Sequence, residues 1–162
     1  MSQLSYNYQT PKGIAGGLLD ISPKEINSRI NGETKSDTMK FGMGAVQGDI
    51  PGTDVKIPTA ADTADKFEGL ILTGHINQMN MSGEVKVYPK QTVGILRYGN
   101  AWARVAKDIE PSYGDPLYLV NDGAEAGLFT NDPTDAIEIN GIFTGGLGTG
   151  NIAPVVIYNQ KA

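Results

Sequence analysis

Residues 141–157 read GIFTGGLGTGNIAPVVI, with Gly145, Gly146, Gly148 and Gly150 crowded between two apolar runs. Glycines spaced like this occur in loops that cradle phosphates and in loops that only turn the chain, and the two uses demand different neighbours. A P-loop needs Lys followed by Ser or Thr directly after its second glycine. Here Gly146 is followed by Leu147 and Gly150 by Asn151. A dinucleotide fingerprint begun at Gly146 and Gly148 requires a third glycine at position 151, which is Asn. Both templates also need a helix whose first amides face the phosphate, whereas IAPVVIY is β-branched and carries a proline. The stretch therefore predicts two strands joined by a glycine-rich hairpin loop.

Outward from this hairpin the chain continues in the same manner. EVKVY (84–88), TVGILRY (92–98), AWARVA (101–106), PLYLV (116–120), GLFT (127–130) and AIEINGIF (136–143) read as short strands. In the last, Ile137 and Ile139 share one face while Glu138 and Asn140 share the other, the mark of a sheet with one buried side. YGN (98–100), NDG (121–123) and NDP (131–133) stand between the runs as turn sequences, at the cadence of a sandwich or barrel. Upstream, KFGMGAVQG (40–48) and FEGLILTGHI (67–76) predict two more strands around a loop rich in Pro, Asp and Thr.

The first twenty residues show no periodicity yet carry Leu4, Tyr6, Tyr8, Ile14, Leu18 and Leu19. They read as an extended arm that could reach ~60 Å from the body at ~3.3 Å per residue. In SPKEINSRIN (22–31), Ser22 occupies an N-cap position, Pro23 the first helical position and Glu25 the third, with Asn31-Gly32 as a stop. These are the marks of a helix about two turns long, a length that is marginal without tertiary contacts. The expected organisation is mainly β with at most one short helix: residues 1–38 as arm and short helix, residues 39–162 as a β-rich core domain.

With 162 residues, 40% of them apolar, the chain is long enough for one domain with a core. The absence of cysteine removes disulfides, thiolate metal sites and a cysteine nucleophile. No apolar run approaches the roughly 18 residues needed to cross a bilayer. The opening MSQLSYNYQT has neither the charged nor the apolar block of a signal peptide, so a membrane partner is not expected. The net charge is -5, and from Asp108 to Gln160 there is no basic residue. A surface of that sign repels phosphate backbones, so nucleic acid is not an expected partner either.

Residues able to do chemistry are sparse. His75 is the single histidine, which excludes multi-histidine metal sites and reads as a strand-edge imidazole. Asp122 and Glu125 in NDGAE, and Asp132 and Asp135 in NDPTD, cluster without the alternating ligand spacing of a calcium loop. Both pieces are ordinary turn sequences. Trp102, the sole tryptophan, alternates with Ala101 and Ala103 and shares a face with Arg104. It fits a core position or an interface anchor, where an aromatic beside a guanidinium is favoured. YGDPLYLVNDG has the look of a biotin- or lipoyl-carrier hairpin, but residues 108–160 hold no lysine to modify.

Several pieces in order, GIAGGLLDISPKEINSRI (13–30), FGMGAVQG (41–48), FEGLIL (67–72), VGILRYGNAWARV (93–105), YGDPLYL (113–119), IEINGIFTG (137–145) and IAPVVIY (152–158), are similar to the structural cement proteins of tailed bacteriophages. These are small capsid-decoration proteins that bind the outside of an assembled head. The loop at 49–66 and the stretch 75–84 depart from the pattern. The resemblance implies a compact β-barrel or jelly-roll-like body, no catalysis and no cofactor. It implies attachment to the major capsid protein on the outer surface of the virion, as a homodimer or homotrimer assembled in the host bacterial cytoplasm. Tyr6, Tyr8, Leu18, Leu19 and Trp102 are the expected capsid or oligomer contacts. A carbohydrate- or receptor-binding β-module, with Trp102, Tyr113 and Tyr118 as its aromatics, and a phage tail component are the alternative readings.

Overall fold

The computed structural model describes residues 13–74, 81, 83 and 85–160. Among these described residues are nine strands: β1 (Glu25–Asn31), β2 (Gly44–Gln47), β3 (Asp54–Lys56), β4 (Phe67–Leu72), β5 (Thr92–Arg104), β6 (Pro116–Val120), β7 (Phe129–Thr130), β8 (Ala136–Phe143) and β9 (Ile152–Ile157), with two short 3-10 turns. They hydrogen-bond in the order β1-β3-β2-β4-β5-β9-β8-β6-β7, and β1 also pairs with β5. That last pairing closes β1, β3, β2, β4 and β5 into a five-stranded barrel, a device that removes exposed sheet edges. A single parallel bridge between Val105 and Phe129 brings β7 back to the end of β5.

The hinge of the architecture is β5. Its first half pairs with β1 and β4, its second half with β9. TVGILRY and the start of AWARVA are thus one strand of 13 residues, Thr92–Arg104, and Tyr98-Gly99-Asn100 is part of it rather than the expected turn. The burial pattern explains why. Val93 and Ile95 enter one apolar cluster, with Val55 and Ile71, while Leu96, Ala101 and Ala103 enter the other, with Leu117, Phe129 and Val155. Residues five apart in a regular strand face opposite sides, so for Leu96 and Ala101 to share a core the strand must slip by one residue. It does so where Glu25 pairs with Tyr98 but Ile26 with Leu96, leaving Arg97 as a bulge. Strand β4 lies between the two clusters, Leu70 and Leu72 in one and Ile71 in the other. That is why all six residues of FEGLIL are buried, Glu68 among them as the ion-pair partner of Arg29.

The opening stretch forms the β8–β9 hairpin, antiparallel with Gly141 opposite Ile157 and Phe143 opposite Val155. Gly150 and Asn151 take positive φ in its loop, and the Gly148 N–H donates to the Ile152 carbonyl at 2.6 Å. Ile137 and Ile139 are buried while Glu138 and Asn140 are exposed, as the alternation in AIEINGIF requires. Two expectations are corrected. Residues 25–31 form β1 instead of a helix. Their registered pairing with β5, and with β3 at Ile30 and Asn31, outweighs capping signals on a segment too short to be helical alone. In EVKVY, Lys86 to Tyr88 lie outside any strand, although Val87 is buried in the first cluster. Strand β3, inside the loop of 49–66, has no forerunner in the sequence pattern.

Candidate interaction surface

The first described residues do not project freely. Four backbone hydrogen bonds clamp residues 16–19 to the body: Gly16 N–H to the Trp102 carbonyl (2.8 Å), Trp102 N–H to the Gly17 carbonyl (2.9 Å), Leu19 N–H to the Asn100 carbonyl (3.1 Å) and Thr73 N–H to the Gly16 carbonyl (2.9 Å). The local sequence makes the clamp possible. Gly16 sits at φ +76°, and a Cβ there would lie 2.8 Å from the Ile71 carbonyl oxygen and 2.9 Å from the Thr73 nitrogen. Only glycine combines that dihedral with that approach.

The clamp also completes β5. Trp102 is paired with Pro154 of β9, a residue with no N–H to give, and turns both its own backbone groups to the leader instead. Without residues 16 and 17 those two groups would lose their partners. Pro154 in turn is tolerated because its carbonyl accepts from Thr144 while its missing donor is not asked for by β5.

Past Leu19 the chain crosses β5. Asp20 accepts hydrogen bonds from the Ser22 N–H and the Asn100 side-chain amide, both at 2.9 Å. Bonds from Ser22 and then Asn100 hold its carboxyl below the ordinary 3.8. Lys24 passes directly over Gly99, where a Cβ would come within 2.9 Å of the Lys24 Cβ. Glu25 then enters β1 opposite Tyr98. The outer face of β1 carries Ile26, Ser28 and Ile30, all exposed, whereas Asn27, Arg29 and Asn31 face inward.

The expected contact residues fall as follows. Leu18 and Leu19 are 39% and 37% exposed, so their side chains face solvent from a backbone already pinned to the body. Ile14 and Ile21 beside them are exposed too, Ile21 almost completely at 97%. Sequence reasoning did not name Ile21, Ile26 or Ile30 as contacts, and the exposure of Ile26 and Ile30 only becomes visible once 25–31 is known to be a strand. Trp102 is half-buried on the face of β5 opposite the core residues Ala101 and Ala103. Gly13 lies against its indole so closely that a Cβ there would overlap the ring. Tyr6, Tyr8 and His75 lie outside the described residues.

The acidic turns use their carboxylates locally. Asp122 accepts from the Gly123 N–H, Glu125 from the Lys107 N–H and Asp132 from the Thr134 N–H. Hydrogen bonds from Thr134 hold the Asp132 carboxyl below its ordinary value. Among the described residues no group of three His, Cys, Asp or Glu is placed to hold a metal, and no helix is long and apolar enough to cross a membrane. Among the described residues, recesses of about 820, 560 and 420 Å3 are lined by residues other than Trp102, Tyr113 and Tyr118. The surface so assembled offers apolar side chains on a rigid frame, a geometry suited to contact with another protein.

No curated protein matches the chain. Among solved structures it is similar to a chain from the capsid of Myoviridae phage XM1, with a TM-score of 0.70 and 19% identity over 99% of both chains, a likeness of fold. The family model described as structural cement protein (E217 gp24/Pam3 gp6) matches residues 2–158. With the match running from the leader through β9, the chain belongs to the structural cement protein family.

Proposed function

We propose that the protein is a structural component of a phage virion, bound to the outside of the assembled head, where it ties neighbouring major capsid protein subunits together. Membership of the cement family supports the capsid role. The observation that carries the contact mode is the pinned leader, which presents Ile14, Leu18, Leu19 and Ile21 on a closed β-body. Apolar side chains held this way lose little conformational freedom on docking, so more of their burial appears as affinity. Residues 1–12, with Tyr6 and Tyr8, extend the same contact, and Trp102 supports it from beneath Gly13. Association with itself as a dimer or trimer would multiply each contact, since linked sites gain avidity without any strong single one. The role needs no catalysis and no cofactor.

The test is co-sedimentation with purified heads that lack the protein, followed by heating of the decorated heads. Wild type should sediment with heads and raise the temperature at which they open. Leu18→Asp with Leu19→Asp should fold normally, because both side chains are solvent-facing, yet lose head binding. Wild-type protein that stays in the supernatant would refute the reading.

A further inference from the structure

Two recesses, of about 820 and about 420 Å3, share Asp37, Lys40 and Arg104 and so form one trough. The floor of the larger is apolar, made by Met43, Ile57, Ala126 and Leu128, and cationic Lys40, Arg104 and Lys107 also line it. Arg104 is fixed in place by its Nε bond to the Phe41 carbonyl at 2.8 Å, which uses one of its donors. Lys86 of the smaller recess pairs with Asp37 at 2.9 Å. Glu125 is engaged by the Lys107 backbone N–H at 3.1 Å. Four of the 13 basic residues in a chain of net charge -5 thus line one trough against two carboxylates. Concave, partly apolar walls focus the potential of such a cluster.

We propose that this trough docks an acidic segment of the shell protein, an extended stretch whose aliphatic side chains rest on Met43, Ile57 and Leu128 while its carboxylates meet Lys40, Arg104 and Lys107. The assignment rests on the capsid reading above and goes beyond it by naming a second contact, separate in chemistry from the leader. Charge complementarity selects the occupant. A guanidinium and two ammonium groups above an apolar floor suit carboxylates interspersed with aliphatic residues. A nucleic acid would bring continuous phosphate charge against Asp37, Glu125 and a body with no basic residue from 108 to 160.

The experiment is co-sedimentation with heads across a salt series, using wild type, Lys40→Glu with Lys107→Glu, and the control Lys24→Glu with Lys90→Glu. All four lysines are exposed, so melting temperatures should stay near wild type; should the first pair melt early, Lys40→Gln with Lys107→Gln replaces it. The expected result is a loss of affinity of tenfold or more for the Lys40 and Lys107 pair alone. Carbodiimide, which joins amines to carboxylates, should link Lys40 or Lys107 to Asp or Glu of the shell protein. If wild type and both variants bind alike, or both variants weaken alike, the trough assignment fails while the capsid reading stands. Links made only from other lysines, or Lys40-dependent binding of a duplex oligonucleotide in place of heads, would also overturn it. Wild type that ignores heads altogether sinks the capsid reading and this site with it.

Discussion

The leader clamp can be opened by one substitution. Four backbone hydrogen bonds hold residues 16–19, worth about 1 kcal/mol net apiece. The contact of Gly13 with Trp102 adds to them. Gly16→Val places a branched side chain at φ +76°, with its Cβ 2.8 Å from the Ile71 oxygen, 2.9 Å from the Thr73 nitrogen and 3.0 Å from the Gly42 nitrogen. The dihedral alone costs about 1–2 kcal/mol, and three backbone atoms cannot swing aside as a side chain would. At about 1.4 kcal/mol per tenfold, a total of about 2–3 kcal/mol raises the open population roughly 30- to 150-fold. Trp102 is the only tryptophan, so its emission reports the event. Gly16→Val should shift that emission to the red, increase acrylamide quenching, and speed amide exchange at Gly16, Leu19 and Trp102. Leu70 and Leu96, in the core, should exchange as in wild type. Unchanged Trp102 fluorescence would refute this reasoning, and so would collapse of the entire β-body, which would make the leader part of the core instead of a clip upon it.

Three further outcomes are expected. Arg29 and Glu68 form an ion pair at 3.3 Å with the Glu68 side chain 5% exposed. Arg29→Met should therefore cost about 3–5 kcal/mol by leaving a buried charge unpaired, whereas adding Glu68→Leu should recover most of it, as denaturant titration of the double-mutant cycle will show. Asp62 is buried and accepts from the Thr59 N–H and hydroxyl, with Lys66 at 3.2 Å and Lys56 at 3.5 Å. Burial opposes its ionisation, but the bonds from Thr59 and Lys66 prevail and hold its carboxyl below 3.8. A depressed folded pKa means a contribution present above 3.8 and lost as pH falls through the folded value. Asp62→Asn should lower stability by about 1–3 kcal/mol at neutral pH, and the gap to wild type in thermal melts should close below that pH. Phe129→Ala, fully buried beside Leu117 and Leu119, should cost about 3–5 kcal/mol.

Much of this protein was legible in one dimension. The alternation of Ile137 and Ile139 with Glu138 and Asn140 declared β8, and the missing Lys-Ser/Thr after Gly146 declared the loop a turn, because both depend only on neighbours in the chain. The ordered pieces from GIAGGLLDISPKEINSRI to IAPVVIY carried the family likeness for the same reason. Other features could be decided only by contacts distant in sequence. Ser22-Pro23 and Glu25 spell a helix start, yet β1 forms because β5 and β3, some tens of residues away, offer it hydrogen bonds that two helical turns cannot match. Tyr98-Gly99-Asn100 spells a turn, yet the strand runs on because Leu96 and Ala101 must reach one core. Leu18 and Leu19 were recognisable as sticky, but not as pinned. That the leader lends its amides to Trp102, and that Lys40, Arg104 and Lys107 meet over one apolar floor, follows from closure of the sheet, which sets residues side by side without regard to their spacing along the chain.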